Sequence, residues 1–228
     1  MVKRTEKEEK KEAVAAIIDL VDQNRITNFS DGVFAFAATL LVLKIDLPAV
    51  VGDINVALPG ALVSLWPQYL ANIISFLIIG FYWLNHHAIF GLIRKFDSRI
   101  VWLNIIFLIS LSFLPFPVDL FGDHNTIPVV VAFYSASLAI VGLLLASIWL
   151  YACEKKELID EKLSARHIRY YSLTFLVPPV VFALAVPLAF IHPLIAQFSW
   201  VLVIIGLIIV DKSFKFRRPN EVEKVSGS

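Results

Sequence analysis

One cysteine, Cys153, stands in a chain of 228 residues. That excludes an intrachain disulfide framework and any cysteine-rich metal site. Cys153 sits beside Glu154, Lys155 and Lys156 at a predicted helix end, as a small apolar filler or a reactive thiol. Charge is also scarce: Asp, Glu, Lys and Arg make up 17% of the residues, against about a quarter in an ordinary soluble domain. The five histidines divide between the two ends of the predicted spans, His86, His87 and His167 at one, His124 and His192 at the other. A di-iron site of the membrane desaturase type needs many histidines on one side, so that chemistry is excluded. No phosphate-binding glycine loop, nucleophile elbow or paired acidic motif is present, and the chain does not read as an enzyme. Nothing in it calls for a cofactor. Residues 1–12 are charged and no small-residue cleavage site follows the first apolar run, so no cleavable signal peptide is expected.

What the chain has is long apolar runs. Hydrophobic residues make up 58% and the mean hydropathy is +0.77. A helix crossing the bilayer needs about 20 predominantly apolar residues. Six segments meet this: Phe29–Leu47, Trp66–Phe90, Ile100–Phe121, Pro128–Ala152, Ile168–Phe190 and Pro193–Val210. The second could start as early as Leu62. Pro128 and Pro193 suit the first turns of their helices. Pro178, Pro179 and Pro187 predict a kink or local unwinding in the fifth.

Basic residues give each connection a side. The segment before the first span, the second–third and fourth–fifth connections and the tail together hold nineteen of the twenty Lys and Arg. Six spans put all four segments on one side, and the positive-inside rule makes that side cytoplasmic. The exception is Lys44, at the far end of the first span. The opposite loops carry Asp46, Asp53, Asp119, Asp123, His124 and His192, either an acidic face that concentrates cations or ordinary solvated loop residues. Before the first span, Val14, Ile17, Ile18 and Val21 form one apolar helical stripe, for the inner leaflet or another subunit. The expected organisation is an amphipathic segment over 1–24, a membrane domain over 25–211 and a basic tail over 212–228. The basic runs Lys3–Lys11 and Lys212–Arg218 read as contacts to anionic lipid rather than nucleic acid.

Polar residues inside such a chain are few and informative. The first span opens Arg25-Ile26-Thr27-Asn28-Phe29-Ser30-Asp31-Gly32, and the second ends Trp83-Leu84-Asn85-His86-His87 at the same end. A carboxylate at the mouth of a span is costly unless paired or hydrated, which predicts a partner on another helix. Arg25, Ser30, Asp31, Asn85, His86 and His87 therefore form a candidate polar cluster. The alternative is a helix N-cap at Ser30 or Asp31 with histidines in the interface.

The string Arg25-x-x-x-Phe29-Ser30-Asp31-Gly32, with the apolar run Val33–Leu43 behind it and a Trp and His near the end of the second span, resembles the transmembrane protein 175 family of potassium channels. The resemblance implies an all-α membrane protein with six helices per subunit and both termini in the cytoplasm. It also implies a homotetramer with one six-helix unit per chain, and a pore lined by the first helix without a TVGYG filter. Carried over, the constriction falls to Phe36, Leu40 and Leu43, and ion selection to Thr39. Permeating K⁺, membrane lipids and other copies of the chain are the implied partners, with no bound metal beyond transient K⁺.

Phe36, Thr39, Leu40 and Leu43 follow i, i+3, i+4, i+7 and share a helix face. Four copies about an axis make stacked aromatic, hydroxyl and aliphatic rings. A narrow apolar ring stops ions by dewetting, and hydroxyls replace part of an ion's water. Spacing alone is equally met by a face buried in the bundle with Thr39 bonding its own backbone. Two positions depart from the family pattern: Phe36 stands where an aliphatic residue is usual, and Lys44 where an acid is expected. Lys44 must snorkel from the axis or pair with Asp46 to leave cations unopposed. The rival readings are a proton-coupled secondary transporter, suggested by the proline-rich fifth span and the His86/His87 pair, and a non-conducting membrane scaffold.

Overall fold

The computed structural model describes residues 23–45, 52–161 and 163–214, without the side chains of Gln23 and Lys44. The apolar stripe Val14–Val21, the basic runs Lys3–Lys11 and Lys215–Arg218, Asp46 and the side chain of Lys44 lie outside the described residues. Within them the chain is helical: α1 Gln23–Leu40, α2 Ile54–Ser64, α3 Trp66–Leu92, α4 Ser98–Phe113, α5 Pro115–His124, α6 Pro128–Glu154, α7 Ala165–Ile191, α8 Pro193–Ser199 and α9 Val201–Phe214. Among the described residues, five helical segments are long and apolar enough to cross a membrane: Trp66–Leu92, Ser98–His124, Pro128–Glu154, Ala165–Ile191 and Pro193–Phe214. The first expected span, Phe29–Leu47, is instead a helix described over Gln23–Leu40, 18 residues, that stops at Leu40 and is followed by a 3-10 turn over Val42–Lys44.

Local chemistry explains most boundaries. Asp53, Asp97 and Ser164 accept hydrogen bonds from the backbones of Asn55, Ile100 and His167, capping α2, α4 and α7. Pro128 and Pro193 occupy first turns, as expected. The third span is divided at Leu114, because Pro115 and Pro117 remove two backbone donors within three residues. The sixth is divided at Trp200. In contrast, α7 is continuous through Pro178, Pro179 and Pro187, so the expected local unwinding does not occur. Pro178 and Pro179 are buried in the packing there. A Cβ placed on Gly142 of α6 would lie 2.9 Å from Pro179 Cβ and 3.0 Å from the Tyr82 hydroxyl. Gly142 thus gives the proline rings the space they need, and tight packing supports a helix that has lost those hydrogen bonds.

α6 is the central helix, with Trp149, Tyr134, Ile148 and Val131 almost fully buried, and it runs along α7. α9 packs against α7 at the periphery and leaves Leu202, Ile204, Ile205 and Ile209 exposed. In a membrane, apolar exposure of that kind faces lipid.

The connections separate into two ends. Ile93 and Ile159 form an antiparallel bridge, Asp160 N donates to the Leu92 carbonyl, and Arg94 reaches Asp160 at 2.6 Å and 3.1 Å. Arg166 donates to the carbonyl of Phe214. The second–third connection, the fourth–fifth connection and the start of the tail therefore share one end. At the other, Gln68 Nε2 donates to Asp123 (2.5 Å) and Gln197 to the Asn125 carbonyl (2.7 Å).

Candidate functional site

α1 supplies the residues singled out in the sequence, and its two sides differ sharply. One side is buried: Ile26, Ser30, Phe34, Ala37 and Leu41. The opposite side is open, with Phe29 63% and Phe36 62% exposed, and Thr39 exposed as well. Leu43, 76% exposed, lies beyond the end of α1 in the 3-10 turn, so the single helical face expected for Phe36–Leu43 is interrupted after Leu40. Leu40 lies at the margin, half-buried.

The rotation of α1 is fixed by a buried polar chain across three helices. The Ser30 hydroxyl donates to the Ile26 carbonyl at 2.9 Å, and Asn104 Nδ2 of α4 donates to Ser30 Oγ at 3.0 Å. Asn104 Oδ1 lies 3.0 Å from His86 Nε2 of α3. Because the Asn104 amide nitrogen is committed to Ser30, its oxygen must accept, which assigns the proton to Nε2 of His86. Phe90 and Phe107 stack on the His86 ring, with centroids 4.1 Å and 5.7 Å away, and Phe34 meets it edge-on at 5.4 Å. All three polar side chains are buried. An unpaired polar group there costs about 1–3 kcal/mol, so the chain of bonds holds only in one rotational setting of α1. At about 100° per residue, the side opposite Ser30 is that of Thr39, roughly 180° away, with Phe36 about 60° to one side of it.

The predicted cluster is assembled in part. Asp31 is exposed beside Ser30, and its Oδ1 accepts from Trp83 Nε1 at 2.8 Å. That is the partner on another helix required of an acid at the mouth of a span. His87 is exposed and packs on Trp83, with centroids 6.0 Å apart. Asn85 is buried in α3, while Arg25 and Gly32 are exposed on α1. The alternative N-cap reading fails: Ser30 and Asp31 lie well inside α1. Thr39 does bond its own backbone, to Ala35 (2.9 Å) and Phe36 (3.0 Å), but on an exposed face.

Asn104 is the residue that sequence reasoning missed. Its signal was present as a lone amide within the apolar run Ile100–Phe121, a costly placement that requires partners. Among the described residues, no group of three or more His, Cys, Asp or Glu could hold a metal ion.

Comparison with known proteins connects this arrangement to a family. The family model described as the endosomal/lysosomal potassium channel TMEM175 matches residues 25–115, the stretch that holds Ser30, Asp31, Trp83, His86 and Asn104. A potassium channel of Streptomyces collinus is 32% identical over 178 residues, covering 75% of this chain and 84% of that one. The mouse endosomal/lysosomal proton channel TMEM175 is 37% identical over 101 residues, 42% of this chain and 20% of its own length. Among solved structures, the crystal structure of a lysosomal potassium-selective channel TMEM175 homolog from Chamaesiphon minutus superposes with a TM-score of 0.71 at 30% identity, covering 83% of this chain and 98% of that one. The chain belongs to the TMEM175 family, a family of membrane channels and not of enzymes.

Proposed function

We propose that this chain is a subunit of a potassium-selective channel that passes K⁺ down its gradient. It works as a homotetramer of six-span subunits, α1 being the first span, with both termini in the cytoplasm of a cell whose plasma membrane holds the channel. The pore is lined by α1 and the turn that follows it: Phe36, Leu40 and Leu43 form the constriction, and Thr39 supplies the hydroxyl ring. Residues 1–24 form an interfacial segment, 25–211 the channel domain and 212–228 a basic tail toward anionic lipid.

The observation that carries this reading is the open face of α1. Phe36, Thr39 and Leu43 are left uncovered by the chain's own bundle, while the opposite face is anchored through Ser30 and Asn104. A face buried within the subunit could not have lined a path. Symmetric copies meeting on this face place a hydroxyl ring next to apolar rings, the combination that strips and gates an ion. The clustering of basic connections at one end supports the even count of spans and the shared side of the termini. The network Ser30–Asn104–His86 with Asp31–Trp83 has the role of setting α1, not of carrying ions.

The test is flux from liposomes reconstituted with purified protein under opposed K⁺ and Na⁺ gradients. The wild type is expected to pass K⁺ faster than Na⁺, and Phe36→Ala to be leakier and less selective. Equal K⁺ flux and equal selectivity in the two proteins would remove Phe36 from the pore.

A further inference from the structure

Asn28 is exposed on α1, and no hydrogen bond ties its carboxamide to the other described residues. Position 28 is one of the three left open in Arg25-x-x-x-Phe29-Ser30-Asp31-Gly32, so the family motif does not account for the amide there. Its direction is set by the same anchor that sets Thr39. At about 100° per residue, Asn28 lies roughly 160° from Ser30 and within about 20° of Thr39, about 16 Å nearer the start of the helix. Gly32 lies between them, within about 20° of the same line. A Cβ added to Gly32 would meet nothing within 4 Å. A hollow of about 440 Å³ opens beside it, with Asn28, Gly32 and Phe36 on its wall. The carboxamide therefore borders space that the subunit's own side chains do not fill.

The charged neighbours on α1 are placed differently. Asp31 is about 80° from the line of Asn28 and Thr39, and its carboxylate accepts from Trp83. Arg25 is about 40° from Thr39 and close to one turn nearer the helix start than Asn28. A long basic side chain there carries its charge outward to water and headgroups, whereas the short Asn28 side chain stays beside the backbone. Asn28 is thus a neutral acceptor held on the line that the Thr39 hydroxyl occupies further in. That hydroxyl donates its proton to the Ala35 and Phe36 carbonyls, which turns its lone pairs outward. Between the two positions Gly32 and Ala35 present at most a methyl group.

We propose that Asn28 forms a second ion-facing ring at the cytoplasmic mouth of the path, its carboxamide oxygens replacing part of the water around K⁺ as it enters or leaves. The ring rests on the pore reading above, since four copies of α1 must meet for the oxygens to face one another. The stretch at Gly32 and Ala35 is then a wide vestibule in which the ion keeps its water, between an amide ring and a hydroxyl ring.

The experiment measures K⁺ flux from liposomes holding the full-length protein, with Asn28→Asp, Asn28→Leu and Lys95→Gln beside the wild type. Aspartate keeps the size of asparagine and adds a charge that every passing cation meets. Asn28→Asp is expected to raise K⁺ flux about threefold in 0.1 M salt and to approach the wild type in 1 M salt, where screening is strong. Asn28→Leu keeps the size and removes the oxygen, and is expected to lower flux at both salt concentrations. Lys95→Gln changes the charge by the same amount in an exposed connection at the same end, and is expected to leave flux unchanged. Wild-type flux in both Asn28 variants, with Thr39→Cys in a Cys153→Ala background still blocked by a charged thiol reagent, overturns the ring and leaves the pore reading standing. Equal losses in Asn28→Asp and Asn28→Leu also overturn it, because they mark a structural role. A gain in Lys95→Gln as large as that in Asn28→Asp does so too, by assigning the effect to surface charge at large. Absence of K⁺ flux from the wild type, or indifference of the modified Thr39→Cys protein, sinks the pore reading and the ring with it.

Discussion

Asn104 has both ends of its side chain committed, one to Ser30 and one to His86, and so couples α1 to α3 through α4. Removing it leaves the buried Nε2–H of His86 without an acceptor, at a cost of about 1–3 kcal/mol. Asn104→Ala is therefore expected to lower the melting temperature clearly in detergent, more than Asp31→Asn does. Asp31 is exposed, and an Asn there still offers an oxygen to Trp83, so only the charge-assisted part of that bond is lost. Thermal denaturation of the two variants side by side checks the order, and a larger loss at Asp31 would contradict it. Ser30, Asp31 and His86 were legible in the sequence because polar residues at span ends stand out against apolar runs. Asn104 stands out in the same way, as a lone amide in an apolar run, but its partners lie 18 and 74 positions away and no local pattern names them.

Among the elements, hydropathy located the long apolar runs but not the short apolar helix Ile54–Ser64, and the later boundaries fell close to expectation: Pro128–Ala152 became Pro128–Glu154 and Ile168–Phe190 became Ala165–Ile191. Local proline rules worked less evenly. The pair Pro115 and Pro117 interrupts a helix, yet Pro178 and Pro179 do not. The difference lies in what faces them, since Gly142 of α6 makes room for the second pair. Periodicity in one segment cannot report a glycine on another. Gly142→Ala is accordingly expected to destabilise by about 1–3 kcal/mol through overpacking against Pro179 and Tyr82. Gly80→Ala, in α3 with nothing within 4 Å of its added methyl, is expected to be neutral or stabilising by up to about 1 kcal/mol. Melting curves of both variants check the contrast. The Arg94–Asp160 pair belongs to a different class, because Arg94 is 65% exposed. Surface pairs contribute roughly 0–1 kcal/mol, and the backbone bonds of Arg94 and Asp160 to Leu158 and Leu92 persist without it. Arg94→Gln is expected to shift the melting temperature little. A loss as large as that of Asn104→Ala would mean that the joined loops carry more of the stability than their geometry indicates.

For the whole molecule, one chain leaves its most distinctive helix half uncovered. Phe36, Thr39 and Leu43 face away from the bundle on the side opposite the Ser30 anchor, and this division connects stability to function. The anchor fixes the angle of α1, and in the assembly we propose that angle decides what the copies present to their centre. The most direct measurement is thiol accessibility in the reconstituted protein. Replacing the single cysteine by Cys153→Ala gives a silent background, on which Thr39→Cys, Leu43→Cys and Ala37→Cys are compared with a charged, water-soluble thiol reagent. The account predicts that positions 39 and 43 are modified and that modification reduces K⁺ flux, while the buried position 37 stays unmodified. Modification at 37 but not at 39 or 43, or modification of all three without change in flux, would contradict it.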